Sequence, residues 1–187
     1  RTRLSMRGSI IRPMSGLPRE LWTAAQVREL DRRAIETHGI AGRELMERAG
    51  CAALDALRQR WPAAREVTVL CGGGNNAGDG YVLARRAAQH GLQARVIALA
   101  APETLRGDAA SACADYRAAG GTIEAWSAGA MLPGGGPLVD GLLGTGLDRD
   151  LEGGYAEIVA AVNACGRPVL ALDIPTGLHA DTGRVLG

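Results

Sequence analysis

The sequence predicts an α/β protein with a doubly wound parallel sheet and helices on both faces, and three observations predict it. From Glu66 onward, short apolar runs alternate with segments of helical spacing. Val67-Thr68-Val69-Leu70-Cys71 runs directly into Gly72-Gly73-Gly74, and residues 81–88 resume at helical spacing, so strand, glycine loop and helix form one unit. Three strand ends carry asparagine, aspartate or glycine, and ligands bind outside such ends in sheets of this kind.

Taken in order, residues 1–17 read as an irregular leader of expression type around Met6-Arg7-Gly8-Ser9, with Met14 as a candidate native start. The domain proper is assigned to 18–187. Thr23 and Gln26 form a capping box, and Trp22 and Val27 occupy the staple positions. This predicts a first helix running to His38-Gly39, with Val27, Leu30, Ala34 and Ile35 on its inner stripe. Leu45, Met46, Ala49, Ala53, Leu54 and Leu57 predict a second helix over 42–61, Met46 being core packing. A strand follows at 66–71, with the polar turn Asn75-Asn76-Ala77-Gly78-Asp79-Gly80 before the next helix. Further strands are predicted at 94–100, 122–126, 138–143 and 168–173, and further helices at 103–119 and 155–165. Pro133-Gly134-Gly135-Gly136-Pro137 reads as a connection.

The bulk numbers narrow the function classes. A length of 187 residues suits one domain, and 47% apolar with 22% charged residues is globular. A net charge of +1 makes no electrostatic case for nucleic acid or an anionic membrane. No apolar run approaches the roughly 18 residues a membrane span needs. Cys51, Cys71, Cys113 and Cys165 are scattered, which suits reduced core or near-core thiols in the cytoplasm. His38, His90 and His179 lack metal spacing, and His38 and His90 adjoin glycines at expected helix ends. All 21 basic residues are arginine, which excludes Schiff-base chemistry and a P-loop lysine.

Gly72, Gly74 and Ala77 fit a dinucleotide-binding turn, but the next strand lacks the acidic residue that holds a ribose about 20 residues on. Asp79 also sets negative charge at a helix start that should attract phosphate. Asn75, Asn76 and Asp79, then Asp140 with Gly144-Thr145-Gly146, then Asp173 with Thr176, lie at three strand ends of one sheet. An aspartate ending an apolar strand is costly to bury without a partner, so a shared site is expected. Its donors are oxygen and amide, which excludes zinc and fits a hard cation such as K+, Na+ or Mg2+. It also supplies a carboxylate for general acid–base work.

At these residues the chain resembles the NAD(P)H-hydrate epimerase family, the YjeF N-terminal domain. The matching stretches are Gln26 and Asp31 of the first helix, Leu45-Met46-Glu47-Arg48-Ala49-Gly50, Gly74 through Gly80, Gly107-Asp108-Ala109, Asp140 through Leu147, and Asp173-Ile174-Pro175-Thr176-Gly177. The resemblance implies a Rossmann-like three-layer α/β/α sandwich with a mostly parallel sheet, usually a homodimer. It further implies interconversion of the R and S forms of hydrated NADH and NADPH (NADHX and NADPHX). Carried over by position, Asn75, Asn76, Ala77, Gly78 and Asp79, the stretch Gly144, Thr145, Gly146, Leu147, Asp148, Arg149 and Asp150, and Asp173 hold substrate. Asn76, Asp140 and Thr176 bind K+, and Asp173 is the expected acid–base group. Departures are Ala77 for a usual glycine, Thr176 for a usual serine and Trp22 for a common tyrosine. The family domain continues beyond Gly187 with further strands, and an ATP- or ADP-dependent dehydratase often follows in bacteria. The rival readings are a non-catalytic binding module, as in related scaffold proteins, and a dehydrogenase fragment.

Overall fold

The computed structural model describes residues 21–187; the leader reading for 1–17 lies outside them. The elements are α1 (Ala24–Glu36), α2 (Gly42–Arg60), β1 (Glu66–Cys71), α3 (Asn75–Gln89), β2 (Gln93–Ala98), α4 (Gly107–Ala118), β3 (Ile123–Ala125), β4 (Leu138–Gly141), α5 (Gly153–Ala164) and β5 (Val169–Ala171). The five strands form one parallel sheet of order β3-β2-β1-β4-β5. This is the doubly wound order, and the chain reverses direction across the sheet between β1 and β4. Cys71 stands level with Ala98 on one side and Gly141 on the other. The glycine loop after β1 therefore opens between the ends of its two neighbours.

Burial explains the central strands. Val67, Val69, Leu70 and Cys71 are fully buried, as a parallel strand covered on both faces requires. One face is covered by α2, α3 and α4, around Tyr81, Val82, Leu83, Leu57 and Tyr116. The other is covered by α5, whose Ile158 packs on Leu70, Ile97 and Leu142. Each fully buried aliphatic side chain there contributes roughly 1.5–3 kcal/mol. Behind the sheet, the segment after β5 folds back: Leu186 is buried, and its carbonyl accepts from Leu151 N–H at 2.6 Å.

Three expectations are corrected. The first helix carries the capping box as expected, with Gln26 N–H donating to Thr23 Oγ1 at 3.2 Å and Thr23 N–H to Gln26 Oε1 at 2.8 Å. Its apolar stripe, however, does not face the core: Val27, Leu30 and Ile35 are exposed, and only Ala24 is buried. Both sheet faces are already covered, so α1 lies outside the sandwich, tied by a 2.7 Å hydrogen bond from Ala24 N–H to Asp181 Oδ1. Secondly, the helix expected at 103–119 is split into a 3-10 turn at Pro102–Thr104 and α4. Thirdly, α3 starts at Asn75, with Gly74 as an extended cap, so the polar turn is already helical. The thiols are free, but Cys165, just past α5, is exposed.

Candidate active site

Starting α3 at Asn75 decides which way its first residues point. Ala77 is fully buried, and its carbonyl meets Cys71 Sγ at 3.8 Å. Gly78 is where α3 crosses α2 and α4: a Cβ there would lie 2.6 Å from Met46 Sδ and 3.0 Å from Ala109 Cα. The amides of both residues bond back to Gly74 O. Ala77 and Gly78, expected among the substrate residues, are thus buried against neighbouring elements and do not line the cleft. Gly78 is helical with negative φ, so no left-handed backbone is involved. Asn75, Asn76 and Asp79 take the opposite side, and the N–H groups of Asn75 and Asn76, ahead of the first helical hydrogen bond, have no intrahelical partner. Together they present the positive end of the helix.

That side opens into a cleft of about 1140 Å³, somewhat above the roughly 300–1,000 Å³ of ordinary ligand sites. Apart from Ala77 and Gly78, every residue expected to touch substrate lines it: Asn75, Asn76, Asp79, the whole stretch 144–150, and Asp173. Beyond β4 the chain turns at Gly144. A Cβ on Gly144 would strike the Asp173 carboxylate, whose Oδ2 accepts from Thr145 N–H at 2.7 Å. The absence of a side chain at 144 is what lets Asp173 reach the loop.

Asp79 is the electrostatically unusual group. Burial, with the charges of Asp173 and then Asp31 added, pushes its carboxyl up from 3.8 to about 7. It faces Asp173 from α3 and Asp31 from α1. Such a carboxyl can carry a proton near neutral pH. Among the described residues, no three His, Cys, Asp or Glu side chains converge to hold a metal.

The residues expected to bind K+ lie just beneath. Asp140 ends β4 buried, and its carboxylate is well supplied. Oδ1 accepts from Leu142 N–H at 3.1 Å and from Thr176 Oγ1 at 2.8 Å, and Oδ2 accepts from Thr176 N–H at 2.8 Å. The Thr176 hydroxyl also accepts from Leu143 N–H at 3.1 Å. Asn76 differs: its side-chain oxygen and nitrogen are both buried without a partner, a state that normally costs about 1–3 kcal/mol per group. A hard cation on Asn76 Oδ1 would relieve one of these orphans, and carboxylate, amide and hydroxyl oxygens suit K+. The residues present fit the ion.

Sequence reasoning missed the wall formed by α1. Val27, Arg28 and Asp31 line the cleft, as do Glu152 and Tyr155 at the start of α5. Burial raises the pKa of the Tyr155 hydroxyl, partly countered by a hydrogen bond with the backbone of Gly73. Asp31 sits four residues from Val27 on the supposedly inner stripe, and that polar interruption was the available signal.

A parallel sheet of this order, with its cleft at the point where the winding reverses, defines a Rossmann-like ligand-binding domain. The fold agrees with the crystal structure of the yeast protein YNL200c, at TM-score 0.76 and 21% identity over 89% of this chain and 74% of that one. The family described as YjeF-related protein N-terminus matches residues 42–187, and the chain belongs to it. Among similar proteins, the bifunctional NAD(P)H-hydrate repair enzyme Nnr of Coxiella burnetii is 45% identical over 89% of this chain. The NAD(P)H-hydrate epimerases of Rhodopirellula baltica and Limosilactobacillus fermentum are 42% and 38% identical over 93% and 88% of it. The chain spans 34% of the Coxiella enzyme's length and 71% and 78% of the two epimerases'.

Proposed function

We propose that this chain is an isomerase that interconverts the R and S forms of hydrated NADH and NADPH. The carrying observation is the pair Asp79 and Asp173 lining one cleft large enough for a dinucleotide, the Asp79 carboxyl raised to about 7 by burial and by its neighbour's charge. Epimerase is also the printed name of the two relatives spanned over 71% and 78% of their length. Carbon 6 of the hydrated nicotinamide bears a hydroxyl and is bonded to ring nitrogen, so it is a carbinolamine. Protonation lets the hydroxyl leave as water, with the nitrogen lone pair forming the iminium. Water then adds to the opposite face and returns a proton to a carboxylate. Asp173 is the acid–base group at that hydroxyl, and Asp79 is the neighbour that keeps a proton available. Ring opening and reclosure would use the same groups.

Asn76, Asp140 and Thr176 would hold K+, which would chiefly order the loops after β1, β4 and β5. The α3 amides and the stretch 144–150 would receive the nucleotide phosphates. A homodimer, a cytoplasmic location and an ADP- or ATP-dependent dehydratase, fused or separate, complete the proposal. No helix among the described residues is long and apolar enough to cross a membrane.

The test is a coupled one. A dehydratase specific for the S form should consume a mixed NADHX pool only in part until this chain is added, and fully afterwards. An unchanged R residue would leave the non-catalytic binding reading in its place.

A further inference from the structure

The wall contributed by α1 raises a question of charge. The cleft is lined by six carboxylates and two guanidiniums, Arg28 and Arg149. A dinucleotide brings a diphosphate, and its NADP form a further phosphate, into a setting that is predominantly acidic. Backbone amides of α3 offset part of this, and the arginines must supply the formal positive charge. Arg149 belongs to the loop already assigned to substrate; Arg28 does not, and α1 lies outside the family-matched span 42–187.

The setting of Arg28 on its helix differs from that of its neighbours. Arg32 pairs with Glu29 and Glu36, and Arg33 pairs with Glu29, all on the solvent side. Arg28 makes no ion pair with any described residue and borders the cleft instead. The helix that carries it contributes only Ala24 to the core: its large apolar side chains Val27, Leu30 and Ile35 are exposed, and Asp181 ties its first turn across the domain. Proximity to the opposite wall has a separate witness, since the charge of Asp31 is felt by Asp79 of α3. A helix that contributes little to the core but closes a cleft, with a guanidinium toward it that pairs with no described residue, is placed for ligand contact.

Resting on the epimerase reading, we propose that Arg28 binds a phosphate group of the substrate and that α1 is part of the binding site. A guanidinium can hold phosphate through two parallel N–H bonds, which an ammonium cannot reproduce. The contacted group is either the diphosphate, common to both substrates, or the 2′-phosphate of the NADP form.

The experiment uses Arg28→Ala and Arg28→Lys in the full chain. Kinetics are measured on NADHX and NADPHX, and NADH and NADPH are titrated calorimetrically. Arg28→Ala should raise KM and the calorimetric Kd by ~10-fold or more, the scale of a lost charged hydrogen bond. Its kcat and melting temperature should stay near wild type, since Arg28 is exposed and outside the core. Arg28→Lys should recover part of the loss. Losses shared by both substrates locate the contact at the diphosphate; losses confined to NADPHX and NADPH locate it at the 2′-phosphate. Unchanged KM and Kd, or a fall in kcat alone, would overturn the proposal. A wild-type chain that binds NADPH but does not epimerise refutes the epimerase reading alone, because the calorimetric comparison still judges Arg28. If the wild type binds neither cofactor, the phosphate contact is refuted too.

Discussion

Replacing Asp79 by asparagine should stabilise the protein above neutral pH and leave it unchanged in acid. The carboxyl is pushed from 3.8 to about 7 by burial, then by the charges of Asp173 and Asp31. A raised carboxylate favours the fold while protonated. That benefit is whole below about pH 4, where the unfolded chain is protonated as well. It is lost as pH rises through the folded value near 7, because the unfolded chain ionises first. At about 1.36 kcal/mol per pH unit the gap sets a ceiling of about 4 kcal/mol. Asparagine keeps the shape without the charge, so urea unfolding of both proteins from pH 4 to pH 8.5 reads the difference directly. The two should coincide at pH 4 and separate by about 2–4 kcal/mol, with the mutant more stable, at pH 8. Curves parallel across the whole range would mean that Asp79 is not held protonated, and the pairing with Asp173 would lose its basis.

Other substitutions test the remaining geometry. Gly78→Val should lower stability by about 3 kcal/mol through collision with Met46 and Ala109, while proteins that remain folded keep their substrate affinity; lost affinity at an unchanged melting temperature would return Gly78 to the ligand surface. Gly144→Ala should displace the Asp173 carboxylate and lower kcat by ~10-fold or more with little change in melting temperature, and wild-type turnover would show that the Asp173–loop contact is dispensable. Asp140→Ala removes the acceptor of Leu142 N–H and of both Thr176 donors, so about 3 kcal/mol of stability should be lost. Thermal melts in K+ and in a large organic cation should differ for the wild type and not for this variant; an identical K+ effect in both would place the ion elsewhere.

The central strands and the cleft were legible because their signals are local. Val67 to Cys71 is an uninterrupted apolar run, and the polar strand ends converge once the strand order is known. Strand order itself is a tertiary fact, but alternating units with right-handed crossovers leave few choices. Gly78 was misread because Asn-Asn-Ala-Gly-Asp looks like a turn, and α3 begins there despite its low helix propensity. The gain is burial of Ala77, Gly80 and Tyr81 on β1 and of Gly78 against α2 and α4, which outweighs local preference. The stripe on α1 was a sound helix signal with the wrong partner, since amphipathicity says that a face is apolar without saying what covers it. The raised carboxyl of Asp79 was invisible because it arises from burial and from two carboxylates distant in sequence.

The epimerisation itself is the most direct measurement. Pure R-NADHX and pure S-NADHX, each incubated with this chain, are followed by chromatography that separates the epimers, beside protein-free controls and Asp173→Asn. Both starting materials should converge on one R:S ratio far faster than the controls, and Asp173→Asn, folded by circular dichroism, should slow the approach by ~100-fold or more. Convergence no faster than without protein would contradict the proposed function, and wild-type rates in Asp173→Asn would contradict the proposed chemistry.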